Sequence, residues 1–151
     1  MIARRLLLVG PALLSVAGCG GPPAPAVVEL SVKASPDVNP NPAGTPVSVA
    51  VRLYSLMGRG RFMSADSYAL MDREKATLGD ESAGSEEIVL RPGESRKMTL
   101  APKPGVRYLG VAVLFREIDR AQWRAIAPVA ASGLTKLALT IGHNKAVLES
   151  A

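Results

Sequence analysis

The sequence predicts a mainly β chain, a two-sheet β-sandwich of seven or eight short strands with one inserted helix. Three observations carry this. Apolar and polar residues alternate with period two in several runs, turn signals separate those runs, and a single stretch shows helical spacing instead.

The first strand is expected over residues 28–34, where Val28, Leu30, Val32 and Ala34 alternate with Glu29, Ser31 and Lys33. Residues 47–54 repeat the pattern, with Val47, Val49, Val51 and Leu53 assigned inward and Ser48, Arg52 and Tyr54 outward. Between them, residues 36–46 hold Pro36, Pro40, Pro42 and Pro46, a density of missing N–H groups and fixed φ angles that excludes strand and helix. This loop exceeds the two to five residues of an ordinary hairpin, and long ordered loops in compact domains are often functional.

The helix is expected over about 64–78, with apolar residues at 65, 68, 69, 71, 76 and 78, Ser64 or Asp66 as N-cap and Gly79 at the C-terminal cap. The basic, glycine-rich stretch before it, Gly58, Arg59, Gly60 and Arg61, lacks the Lys-Ser/Thr ending of a phosphate-binding loop and reads as a solvated connection. Strands then recur at 87–90 and 96–100, on either side of Arg91-Pro92-Gly93-Glu94, whose Pro and Gly positions fit a type II turn. Residues 106–115 are apolar on both faces, as in a central strand covered on both sides. Strands at 122–127, 136–141 and 146–149 follow, the last two joined by a turn at 142–145.

The N-terminus is an address. Arg4 and Arg5 precede an apolar run, residues 6–17, that is too short to cross a bilayer and ends in small residues before Cys19, the only cysteine. The sequence Val16-Ala17-Gly18-Cys19 resembles the lipobox of bacterial lipoproteins, in which the sulfur is acylated and the peptide is cut just before the cysteine. That resemblance implies removal of residues 1–18 and a covalent N-acyl and S-diacylglycerol lipid on Cys19. With Gly20 rather than aspartate next, it also implies delivery to the periplasmic face of the outer membrane of a Gram-negative bacterium. Residues 19–26, rich in Gly and Pro, would then form a short tether, and residues 27–151 the domain.

Loss of the leader removes Arg4 and Arg5, leaving 16 basic against 13 acidic residues and a weak excess spread along the chain. Six aromatic residues offer little for base stacking, so no nucleic-acid partner is expected. The lone His143 lies in the 142–145 turn with no second imidazole or thiol to share a metal. No Gly-x-Ser-x-Gly elbow occurs, and the carboxylate pairs Asp80-Glu81 and Glu86-Glu87 sit in charged stretches typical of solvated faces. The sequence thus gives no catalytic residues, no metal or other cofactor and no small-molecule substrate.

An ordered set of segments resembles a known family. It comprises Asp37-Val38-Asn39, the run Val51-Arg52-Leu53-Tyr54-Ser55-Leu56, Phe62 with Ala65-Asp66, and Leu78-Gly79-Asp80. It continues with Leu90-Arg91-Pro92-Gly93-Glu94, Tyr108-Leu109-Gly110-Val111 and Phe115-Arg116-Glu117-Ile118-Asp119 with Trp123-Arg124. In this order they resemble the outer-membrane lipoprotein (TssJ-type) of the type VI secretion membrane complex. The resemblance implies a transthyretin-like sandwich tethered by its lipid to the outer membrane. It also implies that the loop between the first two strands grips the periplasmic C-terminal domain of a large inner-membrane partner. In this chain that loop comprises Pro36, Asp37, Val38, Asn39, Pro40, Asn41, Pro42, Ala43 and Gly44. The competing expectation is a periplasmic lipoprotein carrier of a small apolar or lipid ligand, which requires an unfilled apolar cavity of ~300 Å³ or more between the sheets.

Overall fold

A computed structural model describes residues 21–151, so Cys19 and the leader lie outside the described residues. Eight strands form two four-stranded sheets: β1 (Ala26–Ala34), β2 (Val49–Leu56), β3 (Ser82–Leu90), β4 (Ser95–Leu100), β5 (Tyr108–Val113), β6 (Arg124–Pro128), β7 (Gly133–Ile141) and β8 (Ala146–Ser150). The first sheet has the order β4-β1-β7-β8 and the second β3-β2-β5-β6. Pairing is antiparallel except between β1 and β7, which run side by side from Ala26↔Gly133 to Ala34↔Ile141. The expected two-sheet sandwich is therefore what the chain forms.

β1 shows the alternation the sequence predicts, with Val28, Leu30, Val32 and Ala34 buried and the residues between them exposed. It starts at Ala26, and the Gly133 N–H already meets the carbonyls of Ala24 and Pro25, at 3.2 and 3.3 Å. The inward residues of β1 meet Leu137, Leu139 and Ile141 of β7, and across the sandwich Val49, Val51 and Leu53 of β2 and Leu109, Val111 and Val113 of β5. All of these are at most 3% exposed, so side chains pack the centre of the sandwich. One depression, about 640 Å³, lies on the surface against Arg52, Glu74, Lys75, Glu86 and Glu87, and another, about 390 Å³ and partly open, lies at the edge of the sandwich against Leu53, Ser55, Glu86, Leu100, Lys103 and Leu109.

The Arg91-Pro92-Gly93-Glu94 turn has the expected chemistry: Gly93 takes φ +76° and the Glu94 N–H returns to the Arg91 carbonyl at 3.0 Å. It joins strands of different sheets, carrying the chain from β3 across to β4.

The expected single helix over 64–78 is three short ones, α1 (Gly60–Ser64), α2 (Ser67–Asp72) and α3 (Glu74–Leu78), followed by a 3-10 turn over Gly79–Glu81. Two breaks cause this. Ala65 and Asp66 are extended, and the Asp66 carboxylate caps α2 by accepting the Ala69 N–H at 2.8 Å. Arg73, at φ −134° and ψ 41°, separates α2 from α3. Each piece is thereby free to turn one large side chain, Phe62, Leu70 or Leu78, onto the outer face of β2 and β5. Tyr68, assigned to the apolar stripe by its spacing, is 62% exposed. Gly79 does cap α3, with φ +51°. Gly60 and Arg61, expected in a solvated connection, form the start of α1.

This second cluster also corrects the reading of β2. Tyr54, assigned outward, is fully buried among Leu56, Phe62, Leu70 and Ala112, because the helices cover the face that the sheet alone would leave wet. Its ring meets that of Phe62 at 5.3 Å between centroids, tilted by 55°. Val47, assigned inward, is only half-buried and precedes the strand. β5 is covered on both faces as expected, and Gly110 allows the closest approach: a Cβ there would stand 2.8 Å from Leu56 Cδ1 and 2.9 Å from Phe62 Cζ.

Candidate partner-binding loop

The strand directions place the loop. β1 begins at the tether and ends at Ala34, so residues 35–48 leave the opposite pole of the sandwich, beside the 91–94 turn, the β5–β6 connection and the β7–β8 turn. Three connections thus surround the base of the proline-rich segment.

Val38 and Asn39 do not project. Val38 is fully buried in the main core, and Asn39 is 4% exposed with a left-handed backbone, φ +49°. Asparagine tolerates that region better than most residues, and here its side chain uses both ends. Nδ2 donates to the Ser48 carbonyl at 3.0 Å, and Oδ1 accepts the Arg116 N–H at 2.8 Å. The Asn39 N–H reaches the His143 carbonyl at 3.1 Å. One residue therefore ties the loop to the entry of β2, the β5–β6 connection and the β7–β8 turn. Sequence reasoning placed Asn39 in the loop without this role, because its partners lie far along the chain.

Beyond this pin the loop folds on itself. Asn41 Oδ1 accepts the N–H groups of Ala43 and Thr45, both at 3.0 Å. Gly44, at φ +81°, donates to the Asn41 carbonyl, and the Asn41 N–H donates to the Thr45 carbonyl, each at 2.8 Å. Pro40 and Pro46 face each other in an isolated bridge. These bonds hold Pro42, Ala43 and Gly44 out as an exposed tip. Having fixed its backbone in folding, the tip has less entropy to lose on meeting a partner.

Pro36 and Asp37 form an exposed shoulder. The Ser35 hydroxyl donates to Asp37 Oδ1 at 2.6 Å and, with a smaller contribution from His143, holds the carboxyl below the ordinary carboxylate value. His143 Nδ1 stands 3.7 Å from Asp37 Oδ2, with both side chains largely solvated. Between loop and shoulder runs a cleft of about 330 Å³, walled on its far side by Phe115, Glu117, Arg120 and Asn144. Beside the turn at 91–94, Arg96 pairs with Glu94 at 2.7 Å. That carboxyl is held low first by the Arg91 backbone N–H and then by Arg96. Among the described residues no group of three or more His, Cys, Asp or Glu side chains could hold a metal ion. The surface is a mixed-charge relief braced by the hydrogen bonds of Asn39 and Asn41.

Residues 26–144 match the family model described as "Type VI secretion lipoprotein, VasD, EvfM, TssJ". The match runs from the first residue of β1 to the β7–β8 turn and includes the whole loop. The chain belongs to this type VI secretion lipoprotein family. Among solved structures it is similar to the T6SS lipoprotein TssJ1 from Pseudomonas aeruginosa, at 32% identity and a TM-score of 0.81 over 84% of this chain and 97% of that one. Serratia marcescens Lip, described as a membrane-bound component of the type VI secretion system, shares the fold at 22% identity and TM-score 0.77, over 85% and 99% of the two chains. A chain in a structure described as a type VI membrane complex aligns at 27% identity and TM-score 0.74, over 82% of this chain and 98% of that one. The curated proteins yield no match.

Proposed function

We propose that this lipoprotein is anchored through acylated Cys19 to the periplasmic face of the outer membrane. There its loop binds the periplasmic C-terminal domain of a large inner-membrane component and so scaffolds the secretion membrane complex. The observation that carries this reading is the loop's construction: a tip held by its own hydrogen bonds, pinned by Asn39, at the pole opposite the tether. Family membership supports it, as does the similarity to a chain of a type VI membrane complex. The mechanism is mechanical: a lipid at one end, a preformed grip at the other, and a packed sandwich between them to carry load.

Purification of the acylated protein from detergent-solubilised envelopes should bring a large inner-membrane protein with it, and its absence would contradict the reading. The Cys19→Ser variant should leave the membrane fraction and abolish secretion. Continued membrane fractionation of that variant would contradict the anchor.

A further inference from the structure

The pole opposite the loop is built differently, and its composition suits a lipid surface. At this end β1 and β7 begin, β2, β4 and β6 end, and the chain passes between the sheets through residues 101–107 and 129–132. The connections are stitched together: the Arg107 N–H donates to Leu56 and the Val129 N–H to Arg107, both at 2.8 Å, while Met57 Cε lies against Gly105. On this base stand the exposed cations Arg59, Lys103 and Arg107. Two of the large apolar side chains exposed in the described residues also lie at this end: Met57, 42% exposed, just after β2, and Leu134, 50% exposed, in the second position of β7 opposite Val27. Opposing charges at this end include Asp80, Glu81 and Glu86; Glu86 lines one depression with Lys103, while Glu81 is engaged by the Arg61 N–H at 2.9 Å, with the Arg61 guanidinium held on the Leu78 carbonyl at 3.4 Å.

The tether fixes what this pole faces. The contacts of the Gly133 N–H with the Ala24 and Pro25 carbonyls leave five residue steps between Cys19 and Ala24, which span ~16 Å at ~3.1 Å per residue. Bilayer surface potentials act over a Debye length of ~8 Å at physiological salt, and a tether no longer than ~16 Å keeps the pole within about two such lengths of the surface.

We propose that the tether pole rests on the membrane, with Arg59, Lys103 and Arg107 against anionic phospholipid headgroups and Met57 and Leu134 in the interfacial layer. The inference rests on acylation at Cys19. It turns a single lipid attachment into a two-point seat that directs the loop away from the membrane, across a sandwich ~27 Å tall along β1.

With Cys19 acylated, a cysteine introduced elsewhere is the only free thiol. The acylated protein carrying a fluorophore on Leu134→Cys, or on Lys145→Cys at the far pole, is reconstituted into vesicles bearing a headgroup quencher. The vesicles are phosphatidylcholine alone or mixed with phosphatidylglycerol. Quenching at 134 should rise about twofold or more with the anionic lipid, lose that increment in high salt, and lose it in the triple variant Arg59→Ser, Lys103→Ser, Arg107→Ser. The label at 145 should stay unquenched in both. Equal quenching at the two positions, or no response at 134 to anionic lipid or salt, overturns the seat. Failure of the protein to float with phosphatidylcholine vesicles overturns the anchor and this inference together, whereas flotation without the lipid response overturns the inference alone.

Discussion

The two sheets share one core yet differ on their outer faces. The sheet of β1, β4, β7 and β8 leaves its outer side to water, with Glu29, Ser31, Lys33, Lys97 and Thr140 exposed. The sheet of β2, β3, β5 and β6 is roofed by α1, α2 and α3, which bury Tyr54, Leu56 and Ala112 beneath Phe62, Leu70 and Leu78. Arg124 closes the roof edge by donating to the Phe62 and Ala65 carbonyls at 2.7 and 2.6 Å while lying 4.5 Å over the Trp123 ring. The tether and the loop both extend from β1, in the bare sheet, whereas the roof belongs to its neighbour. Under the proposed function, stability and attachment are therefore separable: the roof buries a second apolar cluster, and the bare sheet joins the proposed anchor to the proposed grip.

This division can be broken experimentally, and the largest effect is expected under the roof. Phe62→Ala should cost about 3–5 kcal/mol in chemical denaturation while leaving partner affinity intact in the folded fraction. Lys136→Ala on the bare face should stay within about 0.5 kcal/mol of the parent. A loss at Phe62 as small as that expected at Lys136 would mean that the roof is ornamental. Next comes Asn39→Ala, which removes the part-buried hydrogen bonds to the Ser48 carbonyl and the Arg116 N–H and should cost about 1–2 kcal/mol. Unlike the roof variant, it should also weaken partner binding in the folded protein, since the loop loses its pin. Gly110→Ala should lower stability by about 1–2 kcal/mol, because Leu56 and Phe62 must move to admit a methyl group.

The smallest effect concerns pH. Asp37 has its folded-state value lowered from 3.8, so the stability it contributes is present above that value and lost as pH falls through the lower folded one. The Asp37-dependent part of partner binding, measured against Asp37→Asn, should therefore stay level from pH 7 down to about 5. A loss within that range would place the controlling titration elsewhere.

The same contrast explains what could be read from the sequence. β1 was legible because one face is buried and the other wet, so its period-two pattern survives intact. The 91–94 turn was legible because Pro92 and Gly93 act through their own backbones. Tyr54 was misassigned because alternation predicts a wet outer face, and the cover over it comes from residues 60–81, which no local pattern in β2 reports. The helix was drawn as one piece because spacing cannot show that Ala65, Asp66 and Arg73 leave helical geometry to seat three separate side chains. At the loop, proline density marked the segment. Which residues project and which are sunk depended on Ser48, Arg116 and His143, brought together only by the tertiary fold. Replacing the whole of residues 36–44, the loop as the resemblance drew it, would remove Val38 from the core along with the tip.

The direct test of the grip therefore spares Val38 and Asn39 and changes only residues 40–44 to a Gly-Ser linker. The measurement is the dissociation constant for the periplasmic C-terminal domain of the inner-membrane partner, taken beside the melting temperature. The expected result is a loss of about thirtyfold or more in affinity, the size of a removed binding hot spot, with melting little changed. Unchanged affinity in a variant that melts like the parent would show that the partner is held elsewhere.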